Sequence, residues 1–132
     1  MTTIVVGAAI IRDNHVLAQQ RAHPPEVAGL WEFPGGRVEP GESDSTALAR
    51  ECWEELRVTV TVGGRIGPEV LLRPGLSLRL YQAILTPATA EPVAHEHEAL
   101  RWLTASALDS VPWLPADRAL LPAVRYLLGM AG

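Results

Sequence analysis

Two short stretches decide how this chain is read: Gly36-Arg37-Val38-Glu39-Pro40-Gly41-Glu42 and, seven residues later, Arg50-Glu51-Cys52-Trp53-Glu54-Glu55-Leu56-Arg57-Val58. Helix signals frame the second. Ser43 or Asp44 can cap a helix over Ser45–Leu56, and Ala47, Leu48, Cys52 and Leu56, with Trp53 a further candidate, give it an apolar face. On that helix Glu51 and Glu55 stand four apart and Glu54 three from Glu51, so three carboxylates crowd neighbouring turns of one surface. Like charges at this spacing destabilise a helix by a few tenths of a kcal/mol per pair, and Arg50 alone supplies local positive charge. A solvated acidic face is the plain interpretation of such a run. The preceding loop argues for more: Glu42 can aim another carboxylate at the same patch, while Gly35-Gly36 and Gly41 permit close backbone approach. Several oxygen ligands on a loop and a helix suit a hard divalent cation, Mg²⁺ or Mn²⁺, and such ions serve phosphate chemistry.

Charge bookkeeping singles out the same segment. The 132-residue chain carries eleven basic and fifteen acidic side chains, a formal charge of −4. Between Glu32 and Glu55 there are seven acids and two bases, a net of −5 that exceeds the whole imbalance. All eleven bases are Arg. The length fits one domain, residues 1–132, and the 48% hydrophobic content can build a core. An acidic chain without a basic run is a poor partner for polymeric nucleic acid. The longest apolar stretch, Ile4–Ile11, is too short to cross a bilayer, and Met1-Thr2-Thr3 lacks the positive charge of a secretory signal. Cys52, the single cysteine, has no internal disulfide partner and fits a packing role; a cytoplasmic protein is expected.

Outside the acidic segment the chain alternates strands and turns. Ile4–Ile11 reads as a buried strand that turns at Asp13-Asn14 into His15–Gln20. Arg21–Gly29 reads as a loop, Leu30–Phe33 as a short aromatic stretch ending at Pro34, and the residues from there to Gly41 as loop. Val58–Val62 reads as a strand. Val70–Leu72 and Leu76–Leu85 read as a hairpin about Pro74-Gly75, with Leu78, Leu80 and Ala83 or Ile84 buried. Leu100–Leu103 is a short strand, Ala105–Asp109 a helical turn, and a terminal helix starts near Leu120 so that Pro122 falls in its first turn. The expected fold class is α/β (α+β), a mixed sheet with a helix on each face.

The acidic segment resembles the Nudix box, G-x5-E-x7-R-E-U-x-E-E-x-G-U with U a bulky apolar residue, at every fixed position but one. Arg57 stands where the pattern has Gly, so either Arg57 adopts the left-handed conformation at a cost of roughly 1–2 kcal/mol or the helix ends differently. The resemblance covers nearly the whole chain and implies the Nudix fold, a mixed curved β-sheet sandwiched between helices. It implies that Glu51, Glu54 and Glu55 bind divalent metal, Mg²⁺ with Mn²⁺ as a substitute, or that one of them orients water. It further implies that Arg50 pairs with these glutamates, that Glu42 supports them, and that the Gly36 carbonyl is a ligand. Leu30-Trp31-Glu32-Phe33-Pro34-Gly35-Gly36 is similar to the MutT-like nucleoside triphosphate pyrophosphohydrolases, which release pyrophosphate by water attack at the β-phosphorus. In that likeness Arg21 and Arg37 contact the substrate, and Glu96, six residues before Trp102, faces the metals as a ligand or base, with Glu98 its rival. The catalytic set is then Glu51, Glu54, Glu96 and Arg50.

His95 and His97 alternate with glutamates; a zinc site and plain surface histidines are the two interpretations. Asp117, in Trp113-Leu114-Pro115-Ala116-Asp117, matches the residue that sits against the base. It contacts the base, caps the terminal helix, or does both. An ionised Asp only accepts hydrogen bonds, which suits the amino group of cytosine, and the wording here resembles the CTP/dCTP branch. Phe33 and Leu78 are pocket walls or core. The expected substrate is a small nucleotide, with cytosine nucleotides first and 8-oxo-dGTP as the alternative. Pro74 leaves ADP-ribose or dinucleotide hydrolysis as another reading. A nucleotide-binding regulator without catalysis is disfavoured by a box that keeps every carboxylate. A monomer or homodimer is expected, with no nucleic-acid polymer or membrane as partner.

Overall fold

Strand β1, Thr3–Arg12, organises the molecule because both of its faces are covered. In the computed structural model, which describes residues 2–131 and the side chains of residues 2–129, Val6, Ala8 and Ile10 point into one core and Ala9 into the other. Burial on both sides explains an unbroken apolar run where a one-sided strand would alternate. Asp13 (φ 51°) and Asn14 (φ 61°) then turn the chain into β2, His15–Gln20. Two successive positive φ values suit a tight hairpin, and Asp and Asn tolerate them.

The sheet has seven strands and is curved and open. Residues 3–10 of β1 run parallel to β6 (Leu76–Leu85), which pairs antiparallel with β5 (Val60–Arg73). The end of β1 pairs instead with β2, which also holds β3 (Trp31–Glu32) and β7 (Ala99–Leu103). The short β4, Gly35–Arg37, pairs antiparallel with Val5–Gly7 of β1. Helix α1, Asp44–Leu56, covers one face through Ala47, Leu48, Cys52 and Leu56. The other face is covered by a 3₁₀ segment (Ala105–Ser110), the short α2 (Pro115–Arg118) and α3 (Leu121–Ala131), through Leu108, Leu120, Leu121, Val124 and Leu128. A helix on each face of a mixed sheet is the expected architecture. Among the described residues no helix is long and apolar enough to cross a membrane.

Four local expectations are corrected. Val58–Val62 and Val70–Leu72 are not separate elements: β5 continues from Val60 to Arg73, with register shifts near Val62/Arg65, Ile66/Val70 and Leu71/Arg73 absorbing its glycines. Gly35–Arg37 is strand, not loop. Ile84 is exposed, and Ala83 faces the α1 core while Leu78 and Leu80 face the other, so β6 is buried on both sides. Asp117 does not cap the terminal helix; it sits inside α2 and its side chain reaches back to Phe33. Pro74 precedes Gly75 (φ 81°) in the turn between β5 and β6, a placement that turn chemistry alone explains.

Candidate active site

Ser43 starts α1 by accepting the Thr46 N–H at 3.1 Å, and four apolar side chains fix the helix's rotation on the sheet. That rotation turns Glu51 and Glu55 toward β4, while Glu54 is half-exposed beside Arg50. Here the glycine pair is a steric necessity. A Cβ on Gly35 would land on the Val6 carbonyl oxygen, and one on Gly36 would land in the Glu51 carboxylate. Gly35 N–H donates to Glu55 Oε1 at 2.8 Å, so helix and strand are stitched through the site itself.

Arg50 organises the carboxylates. Its Nε and Nη2 grip both oxygens of Glu42 at 2.8 and 2.9 Å, its Nη1 donates to Glu51 at 2.8 Å and to Glu54 at 3.4 Å, and Nη2 also donates to the Arg37 carbonyl at 3.1 Å. The two-pronged contact holds the Glu42 carboxyl at about 2, helped by the Glu39 N–H. The helix carboxylates behave oppositely. Burial raises the Glu51 pKa against the pull of Arg50, and Glu54 and Glu96 push it further up. Glu55, only 6% exposed, is pushed up to about 8 by burial, with Glu32 and Glu51 adding to the rise. The arrangement thus gathers Glu51, Glu54, Glu55 and Glu96 at mutual electrostatic cost.

A second cluster lies behind the first. Glu32 accepts from Arg21 Nη1 at 3.2 and 3.3 Å, from Gln19 at 3.3 Å and pairs with His97 Nε2 at 2.8 Å. Ligand atoms of Glu32, Glu55 and His97 lie within 4.8 Å of one another. The two histidines do not share a site: His97 is buried, its side chain 7% exposed, whereas His95 is exposed and meets Arg57. This corrects both the paired zinc reading and the expectation of two surface histidines. Glu32 and Gln19 are not singled out by sequence reasoning, whereas His97 is, as a zinc or surface candidate. Glu32 sits inside the quoted aromatic stretch, and the fact that it is an acid between Trp31 and Phe33 was the available signal.

A cleft of about 800 Å³ is bordered by Glu55 of the first cluster and by Glu32 and Arg21 of the second, but not by Glu51 or Glu54. Arg21, Phe33, Gly36, Arg37, Glu55, Leu78 and Asp117 all line it, so every expected substrate residue is brought together. Leu71 and Leu72 of β5 and Leu114 of the chain before α2 complete its apolar wall. Glu96 lies to one side, in a smaller pocket with Arg21, His23, Glu55 and His97, while Glu98 is absent from both pockets. Asp117 is 8% exposed. Its Oδ1 accepts the Phe33 N–H at 3.0 Å, and burial pushes its carboxyl up to about 7. Phe33 in turn packs against Trp113, ring centroids 4.8 Å apart.

A crowded carboxylate set beside an apolar cleft with two arginines is the arrangement expected of a metal-assisted phosphate enzyme. The NUDIX domain model matches residues 1–124. The chain belongs to the NUDIX family. It is a Nudix hydrolase and resembles named relatives over most of its length. It is 47% identical over 121 residues to a Mycobacterium tuberculosis protein named "Putative 8-oxo-dGTP diphosphatase 2", covering 89% of this chain and 84% of the relative. It is 40% identical over 123 residues to the CTP pyrophosphohydrolase of Escherichia coli, covering 93% and 91%. The solution structure of the E. coli ORF135 protein superposes with a TM-score of 0.81 at 39% identity, covering 96% of this chain and 90% of that one.

Nudix hydrolases use divalent metal, and this donor set fits one. The box supplies oxygens, and the neighbouring Glu32–Glu55–His97 group adds one imidazole nitrogen. Glu51 is repelled by Glu54 and Glu96, a repulsion that a cation between them would relieve. Gly36 lies against the Glu51 carboxylate with no room for a Cβ. The one departure from the Nudix box resolves in favour of strain: Arg57 takes φ 56°, ψ 36° and closes the helix by donating its N–H to the Trp53 carbonyl at 3.0 Å.

Proposed function

We propose that this Nudix hydrolase is a Mg²⁺-dependent nucleoside triphosphate pyrophosphohydrolase, able to use Mn²⁺, that converts a (d)NTP to (d)NMP and pyrophosphate with preference for cytosine nucleotides. The observation that carries the reading is Glu55, whose carboxyl belongs at once to the acidic cluster and to the cleft wall. A substrate lying in the cleft would therefore present its phosphates to the carboxylates.

The Gly36 carbonyl with Glu51, Glu54, Glu55 and Glu96 would hold the cation. When bound, it supplies charge neutralisation for the triphosphate and makes water more acidic. The chain's own residues do the rest. Arg50 locks Glu42 and Glu51 in place and holds Glu54 more loosely at 3.4 Å, while the exposed Glu96 has the freedom to act as the base. Arg21 and Arg37 offer guanidinium groups to phosphate oxygens, the planar fork being suited to that contact. Phe33 and Leu78 flank the base. Asp117, on the cleft wall, accepts from the cytosine amino group when ionised.

The raised pKa of Asp117 supports a second reading. At about 7 the carboxyl is divided between acid and anion near neutrality, and its protonated form donates a hydrogen bond that an oxidised purine edge could accept. The relative named as an 8-oxo-dGTP diphosphatase favours the same substrate. A panel of canonical and 8-oxo nucleotides, run with wild type and Asp117→Asn, decides between them. A cytosine preference that weakens in the variant supports the first reading. An 8-oxo-dGTP preference in wild type replaces it.

A further inference from the structure

Arg57 occupies a backbone conformation that glycine adopts more easily. Its backbone does nothing glycine could not do: the N–H closes α1 on Trp53. The difference lies in the side chain. Arg57 Nη2 meets His95 Nε2 at 2.7 Å, and the guanidinium lies over the Trp53 ring, 5.8 Å from its centroid. With the guanidinium donating, the His95 ring accepts through Nε2 as its neutral form.

His95 belongs to the segment between β6 and β7 that runs along the end of α1. Val93 N–H donates to the Leu56 carbonyl at 3.0 Å and His95 N–H to the Glu55 carbonyl at 3.2 Å. Glu96 follows immediately and lines the small pocket that also holds Glu55 and His97. The segment thus hangs on the last turn of the box helix by two backbone bonds, and the Arg57 side chain adds a third link at the residue next to Glu96. Strain retained at one position is often matched by a specific contact that needs it.

We infer that Arg57 is a positioning residue: through His95 and Trp53 it fastens the segment carrying Glu96 to the end of α1, holding that carboxylate toward the metal-binding glutamates. The catalytic half of this statement rests on the reading of Glu96 as a metal-facing group.

The tie makes stability and activity move in opposite directions on Arg57→Gly. The variant relaxes the left-handed residue, so its melting temperature rises by about a few degrees. It also frees the segment, so backbone amides of residues 93–97 exchange with deuterium faster than in wild type. kcat for CTP with Mg²⁺ falls roughly three- to tenfold, the scale of a lost surface contact, with KM within about twofold. His95→Ala reproduces the exchange and kcat effects without the thermal gain, and adding it to Arg57→Gly changes neither further. Exchange at 93–97 that is unchanged in Arg57→Gly overturns the tie. Faster exchange with an unchanged kcat overturns its catalytic consequence. Glu96→Gln, assayed in parallel, keeps the two readings apart: full activity there removes Glu96 from the site, and the tie is then judged by exchange alone.

Discussion

The backbone N–H of Gly35 donates to Oε1 of Glu55 at 2.8 Å, joining strand β4 to helix α1 at a carboxyl that borders both the acidic cluster and the cleft. Because that carboxyl is nearly sealed from water, folding and chemistry oppose each other at this point. The fold is easier with a neutral Glu55, and a cation needs it charged.

Metal-free stability should therefore fall as pH rises. Glu55 and Asp117 are both raised by burial, to about 8 and about 7. Between their unfolded values near 4 and these folded values, the native state binds more protons than the unfolded state. Stability is then full below about pH 4 and is lost as pH climbs from about 4 to 8, by up to about 4 kcal/mol per group and less where the site relaxes. Thermal melts in EDTA from pH 5 to 9 measure it. Glu55→Gln keeps an acceptor for Gly35 and should flatten the slope, while removing at least tenfold of the Mg²⁺-dependent activity.

Metal affinity should run the other way. A ligand that must shed a proton gives a site that tightens with pH. Calorimetric titration of Mn²⁺ at pH 6.5 and 8.5 should show tighter binding at the higher pH with proton release at the lower. Equal affinity at both would mean that Glu55 is not a ligand.

Gly36→Ala places a methyl in the Glu51 carboxylate. The expected result is a folded protein whose kcat drops by about 10²-fold, since small misplacements of reacting groups cost this much. Circular dichroism and pyrophosphate release on the same preparation separate loss of fold from loss of function.

Arg50→Lys keeps a charge but loses the fork that grips both Glu42 oxygens. A single ammonium cannot serve Glu42, Glu51 and Glu54 together. kcat should fall about 10- to 100-fold while KM changes little. A matching rise in KM would instead place Arg50 on the substrate.

What could be read from the chain follows from where its constraints are local. The box helix was legible because its cap, apolar face and carboxylates all lie within a few turns. Its rotation, and so the way Glu51 meets Gly36, depends on β1 and β4, but the glycine pair announced that contact. The long β5 was not legible, because Gly63, Gly64, Gly67 and Pro68 read as loop and only pairing with β6 carries the strand through its bulges. Asp117 was identified as a base-facing candidate, yet its bond to Phe33 spans 84 residues and no local pattern predicts it. His97 looked like a surface residue because its neighbours are polar. Its burial arises from Glu32 on β3 and Glu55 on α1, two elements distant in sequence.

The most direct test of the account is the product of CTP turnover by wild type and Glu54→Gln, each with Mg²⁺ and with EDTA. The account predicts equimolar CMP and inorganic pyrophosphate from wild type with Mg²⁺, and loss of both on chelation or in Glu54→Gln. Release of CDP and orthophosphate, or turnover that survives in EDTA or in Glu54→Gln, would contradict it.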